Sequence, residues 1–327
     1  MRILFAGTPE IALPSLQALR VAPPPPDAAA GAEYARPEVV AVLTAPDAPA
    51  GRGREILPPP VKVQAEAWGL PVLQPARLDG GARRAVAEFR PDLLVVVAYG
   101  KIFGPRFLEL FPRGGVNVHP SLLPRHRGPS PIPAAILAGD GRTGVTVQRL
   151  ALEMDAGDIL AQREIPLPSG ITARELEEKL GRIGAEILVD TVNRIAMGQE
   201  KAVPQDPRLA TWCHLIGKEE GTLAWDEDAA RIERMIRAYT PWPGVRCSWN
   251  GKTLQLLEAS VPAGPEDRPD VTPGTVLGVD NKAGILVQTV NGVLAVRRLK
   301  LHARKEMDFR AFLNGNSSII GSVLEQA

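Results

Sequence analysis

An asparagine and a histidine two positions apart, Asn117 and His119, sit in the short alternating run Val116-Asn117-Val118-His119. In a β-strand, side chains two apart leave the same face, so the carboxamide and the imidazole project together. Pro120 stops the strand, and further prolines and a glycine shape the loop behind it. The pair suits carbonyl chemistry. An amide N–H can donate to a developing oxyanion, and an imidazole can donate, accept or carry charge near neutral pH. Taken alone, the same two residues also fit a half-buried strand whose polar side chains satisfy backbone groups of a turn.

The elements around the pair read as an α/β fold. Arg2–Ala6, Val39–Thr44, Pro71–Leu73 and Leu93–Tyr99 are apolar runs of strand length, and Leu93–Tyr99 has the composition of a central strand covered on both faces. Helical patterns fall between them at Glu10–Arg20, Val61–Trp68 and Gly81–Phe89. Beyond the pair come a helix at Pro131–Ala138, strands at Gly144–Leu150 and Ile159–Pro166, and a long helix at Thr172–Ala196. That helix opens on a capping-box pattern, Thr172 followed by Glu175. Alternation of this kind predicts a doubly wound, mostly parallel sheet of Rossmann type, with ligands beyond the carboxyl ends of its strands. The opening FAGTPE is not GxGxxG, and GxxxxGK[ST] is absent from the sequence, which disfavours dinucleotide and P-loop sites.

The character changes after residue 197. Residues 198–209 carry no periodicity and two prolines, and are read as a linker between a catalytic domain at 1–197 and a second domain at 210–327. In the second domain a helix at Asp228–Ala238 precedes five short strands, and Asn250-Gly251 between the first two signals a hairpin. Short strands at such intervals predict a small OB-like β-barrel. The five tryptophans read as core or domain-packing residues.

Composition narrows the function classes. With 38 basic and 37 acidic residues in 327, net charge argues neither for nor against a nucleic-acid partner, so any such contact must rest on local clusters. Two cysteines, Cys213 and Cys247, without CxxC spacing, predict neither a metal site nor a disulfide framework. The N-terminal apolar run breaks too early for a signal peptide, and the longest apolar run is far short of a membrane span. The expectation is a soluble, cytoplasmic protein with no membrane partner. Proline runs at 23–26 and 58–60 read as stiff surface loops.

Asn117 and His119, the following Ser121-Leu122-Leu123-Pro124 with Arg125 and Arg127-Gly128, and the later Asp155-Ala156-Gly157-Asp158 resemble the 10-formyltetrahydrofolate-dependent formyltransferases. The family pattern is N-x-H-x-S-L-L-P-R-x-R-G followed by a D-x-G-D turn, and every position matches. Phe5–Glu10, Ala50–Gly53, Pro58–Lys62, Gly144–Val147, Thr240–Gly244 and Phe312–Gly315 are similar to pieces of the tRNA-directed branch, so the resemblance covers nearly the whole chain. Three departures stand out: Ala48 where that branch usually has Arg, Pro129-Ser130-Pro131 in place of a small-residue run, and the Pro/Ala-rich insertion at 22–36.

The resemblance implies transfer of the formyl group of 10-formyltetrahydrofolate, as cosubstrate and without a metal, to the amino group of methionine esterified to initiator tRNA. It implies that Asn117 donates to the oxyanion, that His119 stabilises it and manages protons, and that Asp155 holds and polarises His119. Either His119 or Asp155 takes the amine proton. Ser121, Leu122, Leu123 and Pro124 are expected to form the folate-side loop through backbone groups, with the Leu93–Tyr99 strand walling the pterin slot. Arg52 and Arg54 in the glycine-containing loop, and Arg298, Lys300, Arg304 and Lys305 near the end of the barrel, are expected to contact tRNA. A monomer is expected. Two rivals keep the same chemistry with another acceptor, a sugar-nucleotide amine or water. A third, a non-catalytic tRNA-binding protein, leaves the intact Asn117/His119/Asp155 set unexplained.

Overall fold

Apolar runs of strand length form the first sheet where the sequence places them. In chain order the elements are β1 (Arg2–Gly7), α1 (Leu13–Val21), β2 (Glu38–Leu43), the short pair β3 (Ala48–Ala50) and β4 (Glu55–Leu57), α2 (Pro60–Ala67) and β5 (Val72–Leu73). There follow α3 (Gly80–Ala87), β6 (Leu93–Val97), α4 (Pro105–Leu108), β7 (Gly115–His119), α5 (Pro131–Ala138), β8 (Arg142–Arg149), β9 (Ile159–Pro166) and α6 (Ala173–Met197). The structure is a computed structural model that describes residues 1–21, 36–50, 55–264, 267–268 and 270–327. Arg52, Arg54 and residues 22–35 of the insertion lie outside the described residues.

The sheet runs β5-β2-β1-β6-β7-β8-β9. Pairing is parallel from β5 to β7 and antiparallel from β7 to β9. β7 is therefore the pivot, parallel to one neighbour and antiparallel to the other. All five residues of β6 are buried, as a strand covered on both faces requires. For the same reason its side chains cannot wall an open slot; the exposed positions at its end are Ala98 and Gly100. The strand stops at Val97, two residues short of the sequence reading, because Ala98 turns into the left-handed region at φ +49°. Tyr99 then starts an aromatic ladder, Tyr99–Phe103–Phe107–Phe111, with centroids 5.4, 5.2 and 5.9 Å apart. Burial pushes the Tyr99 hydroxyl up to about 12.

The long helix α6 opens as its capping box dictates: Thr172 N donates to Glu175 Oε2 at 2.9 Å, and Glu175 N donates to Thr172 Oγ1 at 3.3 Å. Leu176, Leu180, Ile187 and Val192 are buried along its apolar stripe. At Gly184 a Cβ would lie 2.8 Å from Val118 Cγ1 and 3.3 Å from Val145 Cγ1, so the helix approaches the sheet closely there.

The chain forms two units, one made of Met1–Pro131, Arg142–Pro166 and Glu177–Cys213, the other of Ile132–Gly141, Leu167–Leu176 and His214–Ala327. The stretch 198–209, read from sequence as a linker, belongs to the first unit. Val203 pairs antiparallel with Ile159 through two backbone hydrogen bonds of 2.8 and 2.9 Å. Irregular chain that is pinned to a strand edge carries no periodicity, which is why pattern alone misassigned it.

The second unit contains α7 (Ala229–Ala238), β10 (Val245–Trp249), β11 (Lys252–Ser260), β12 (Val276–Asp280), β13 (Gly284–Gln288), β14 (Val293–Leu301), β15 (Met307–Asp308), α8 (Phe309–Asn316) and β16 (Glu325–Gln326). Its antiparallel order is β12-β13-β14-β11-β10-β16, with β15 on β14. Thr275 bridges Val323, and hydrogen bonds from Val276 N to Ser322 O and from Leu324 N to Gly274 O join the start of β12 to the residues before β16. The path thus closes on itself as a small barrel. Asn250 and Gly251 both have positive φ, +49° and +69°, the turn that a tight hairpin needs. Trp225 and Trp249 are core residues, whereas Trp212 and Trp242 are more than half exposed and are not.

Candidate active site

Strand alternation sorts β7 and β8 into two faces. Val116 and Val118 on β7 and Val145 and Val147 on β8 are buried aliphatics, and Val118 and Val145 face α6 at Gly184. The opposite face is polar. The register sets Asn117 beside Gln148 and His119 beside Thr146, and β9 adds Gln162 opposite Thr146. Residues paired in register share a face, so Asn117, His119, Thr146, Gln148 and Gln162 form one polar patch on an otherwise aliphatic sheet.

Asp155 joins that patch by an indirect route. β8 ends beside Val116, the start of β7, so its carboxyl end lies away from His119. The loop 150–158 instead folds back along β8, fixed by Arg149 N donating to Asp158 O at 2.8 Å. Asp155 sits at its tip with φ +52°, a conformation that aspartate tolerates better than most residues. At Gly157 a Cβ would collide with the Arg149 carbonyl, so only glycine lets the loop pack this closely.

The result brings His119 and Asp155 together. His119 is buried, and its Nδ1 lies 3.6 Å from Asp155 Oδ2. Its Nε2 lies 2.9 Å from the carbonyl oxygen of His126. A carbonyl only accepts, so Nε2 carries a hydrogen and donates it. Nε2 is thereby committed, whereas Nδ1 faces the Asp155 carboxylate at a distance too long for a direct hydrogen bond. Asp155 Oδ1 accepts from Gln148 Nε2 at 2.9 Å, and Oδ2 accepts from Gly128 N at 2.9 Å. Gly128 has φ +117°, and a Cβ there would strike the Cys213 carbonyl. Burial pushes the neighbouring Cys213 thiol up, and the negative charge of Asp155 adds to that shift. Asn117, on the same strand face, is half-buried.

The sequence reading missed several members of this network. Thr146 and Gln148 were legible as polar residues at alternate positions of an aliphatic strand. Gln205 gave no signal, because it comes from the segment read as linker. Its Nε2 donates to the carbonyls of Asp155 at 2.9 Å and Gly157 at 2.7 Å and faces Gln148 Oε1 at 3.3 Å.

The loop Ser121–Pro124 spends its backbone groups internally. Thr146 Oγ1 donates to Ser121 O at 2.7 Å and accepts from Leu123 N at 3.2 Å, and Gln162 Nε2 donates to Leu123 O at 3.0 Å. Leu122 O accepts from Arg125 N, and Pro124 O accepts from Thr211 N. Ser121 Oγ donates to Arg125 O at 2.7 Å. The loop is a braced scaffold, and the expected backbone grip on a ligand would have to share carbonyls already in use. Thr146→Val is expected to lower unfolding free energy by about 1–3 kcal/mol, read from the urea midpoint, because it strips buried Ser121 O and Leu123 N of a partner.

The barrel cations do not act as one group. Arg298 pairs with Glu306 at 2.7 Å, and Lys300 is half-buried opposite Gln255, whereas Arg304 and Lys305 are exposed. Among the described residues no cluster of three His, Cys, Asp or Glu could hold a metal ion, and no helix is long and apolar enough to cross a membrane.

Comparison with known proteins agrees with this arrangement. Residues 28–192 match the family described as formyl transferase, and residues 215–317 match the formyl transferase C-terminal domain. The chain is 40% identical over 330 residues to a methionyl-tRNA formyltransferase of Treponema denticola, covering 98% of each. An N-formyltransferase from Helicobacter canadensis, solved with folinic acid and dTDP-3-aminofucose, superposes with a TM-score of 0.61 at 16% identity, covering 90% of this chain and 98% of that one. HypX from Aquifex aeolicus, solved with tetrahydrofolic acid, superposes with a TM-score of 0.58 at 18% identity over 96% of this chain. The chain spans about half the length of HypX, 47%. At those identities the two structures speak for the fold alone. With both domain descriptions matched in chain order and 40% identity to a relative along nearly its full length, the chain belongs to the formyltransferase family.

Proposed function

We propose that this chain transfers the formyl group of 10-formyltetrahydrofolate to the amino group of methionyl initiator tRNA. The observation that carries the reading is the buried His119, held between the His126 carbonyl and Asp155 on the face that bears Asn117. The near full-length similarity to methionyl-tRNA formyltransferase supports the choice of acceptor.

The free amine attacks the formyl carbon, a C–N bond forms, and the carbonyl electron pair moves onto oxygen. The Asn117 amide donates to that oxyanion. His119 Nε2 is committed to a carbonyl at 2.9 Å, whereas Nδ1 stands 3.6 Å from Asp155, so Nδ1 is the nitrogen free to serve the reacting atoms. Asp155 takes the proton released by the attacking amine on a lone pair that Gln148 and Gly128 leave open. Collapse of the tetrahedral intermediate restores the formyl C=O and breaks the bond to the folate nitrogen, which takes the proton that Asp155 accepted and leaves as the amine. Burial keeps water from weakening these contacts. The donor occupies the carboxyl end of the parallel strands, with Ser121, Leu122, Leu123 and Pro124 as the scaffold on its side. Arg52, Arg54, Arg298, Lys300, Arg304 and Lys305 serve the tRNA backbone.

The test follows the label. Protein and labelled formyl donor are mixed with charged initiator tRNA, with a sugar-nucleotide amine, or with buffer alone. Label is expected on methionyl-tRNA only. Label on the sugar amine, or free formate in buffer alone, would replace this reading with one of its rivals.

A further inference from the structure

The carboxylate of Asp155 is held by a chain of side chains whose hydrogen bonds all run in one direction. The chain starts at Arg127, a buried arginine whose Nε and Nη2 lie 3.1 and 2.8 Å from Gln205 Oε1. A guanidinium only donates, so the Gln205 atom facing it must be the amide oxygen. Gln205 then turns its NH₂ toward Gln148 Oε1 at 3.3 Å and toward the carbonyls of Asp155 and Gly157. Two hydrogens serve these three acceptors, so the one that reaches Gln148 Oε1 is shared with a carbonyl; Gln148 turns its own NH₂ to Asp155 Oδ1 at 2.9 Å. Each amide could flip in isolation. Arginine at one end and a carboxylate at the other leave one consistent sense.

The start of the chain is itself fixed. Arg127 N donates to Thr211 O at 2.8 Å, and Cys213 N donates to Arg127 O at 2.8 Å. Its guanidinium lies 5.6 Å from the centre of the Trp212 ring and 3.6 Å from Glu153. The segment that supplies Gln205 is thereby fastened to the loop that supplies Gly128, the other donor to Asp155.

We propose that Arg127, Gln205 and Gln148 form a directional hydrogen-bond relay that sets the rotation of the Asp155 carboxylate, with Gln205 as its central positioning residue. The proposal rests on the formyl-transfer reading above. Gln205 acts through Gln148 and through the carbonyls of Asp155 and Gly157. Without the relay, Oδ1 loses an oriented donor and the carboxylate can turn away from His119 Nδ1. A loss of orientation of this kind costs rate more than affinity.

Two substitutions and their combination test it. Gln205→Glu keeps the bulk and the acceptor for Arg127 but has no N–H for Gln148 or the two carbonyls. Gln148→Leu removes the donor to Asp155 from the other side of the contact, so a Gln205→Glu protein that folds poorly does not shelter the proposal. Each is expected to lower kcat by about 10–100-fold, with KM for donor and tRNA within about twofold. The double variant is expected to be no slower than the slower single, because both act through one carboxylate. A parental kcat in either single variant, or a double variant whose loss is the product of the two, would overturn the relay. A second readout needs no substrate: the imidazole NMR signals of His119 are expected to move in both singles, and unmoved signals would count equally against it. That spectrum separates failure of the relay from failure of the formyl-transfer reading.

Discussion

His119→Ala is expected to lower kcat for formyl transfer by about 10³-fold, with the KM for tRNA nearly unchanged. The magnitude follows from what positioned proton transfer contributes, about 10²–10⁴-fold. The sparing of KM follows from the assignment of tRNA binding to a different set of residues. Removing the ring takes one donor from the His126 carbonyl, which keeps the Cys213 thiol at 3.7 Å, and leaves the Asp155 carboxylate with Gln148 and Gly128. Some stability is lost with it, so the thermal midpoint must be measured beside the rate. A folded His119→Ala protein within tenfold of the parental kcat would remove the imidazole from the chemistry.

Asn117→Asp is expected to be nearly as damaging, lowering kcat by about 10²–10³-fold, the range for loss of one oxyanion donor. The substitution preserves shape and exchanges an N–H donor for a carboxylate oxygen, which repels a developing negative charge. Because the oxyanion exists only after attack, the loss belongs in kcat, with KM for the folate donor little changed. Asn117 stands in register between Val96 and Gln148 at the centre of three strands, so its backbone has little freedom to compensate. Equal losses in kcat and in donor affinity would assign Asn117 to donor binding instead.

Much of this site is legible in the sequence. Two polar residues at alternate positions of an aliphatic strand, stopped by proline, announce a strand-end site because the period of a strand is two. The same rule made Thr146 and Gln148 readable as the polar face of β8, although their partners were not. The order of strands and helices gave the doubly wound sheet, and Asn250-Gly251 gave a hairpin of the barrel. Asp155 was identified by resemblance, and its route to His119 was not foreseen. A loop's return path depends on tertiary contacts, here Gly157 against the Arg149 backbone and Gln205 against the carbonyls of Asp155 and Gly157.

Residues 198–213 show the limit of pattern most plainly. Val203, Gln205, Thr211 and Cys213 each bond to a different part of the first unit, at Ile159, around Asp155, at Pro124 and at Arg127. No helical or strand period marks such a stretch, because its neighbours are set one residue at a time. The loop Ser121–Pro124 shows the same limit from the other direction. Its motif was plain, and only the structure showed that Thr146 and Gln162 already occupy its backbone groups.

By itself, then, the sequence determined the elements, the sheet class, the pairing of Asn117 with His119 and the family, since all of these follow from local period, turn chemistry and motif. The tertiary structure alone decided how Asp155 reaches His119, which ring nitrogen is left to work, and which side chains hold the carboxylate. Those depend on the direction of hydrogen bonds between residues far apart in the chain, and direction is fixed only when a pure donor such as Arg127 and a pure acceptor such as Asp155 are brought to opposite ends of one network.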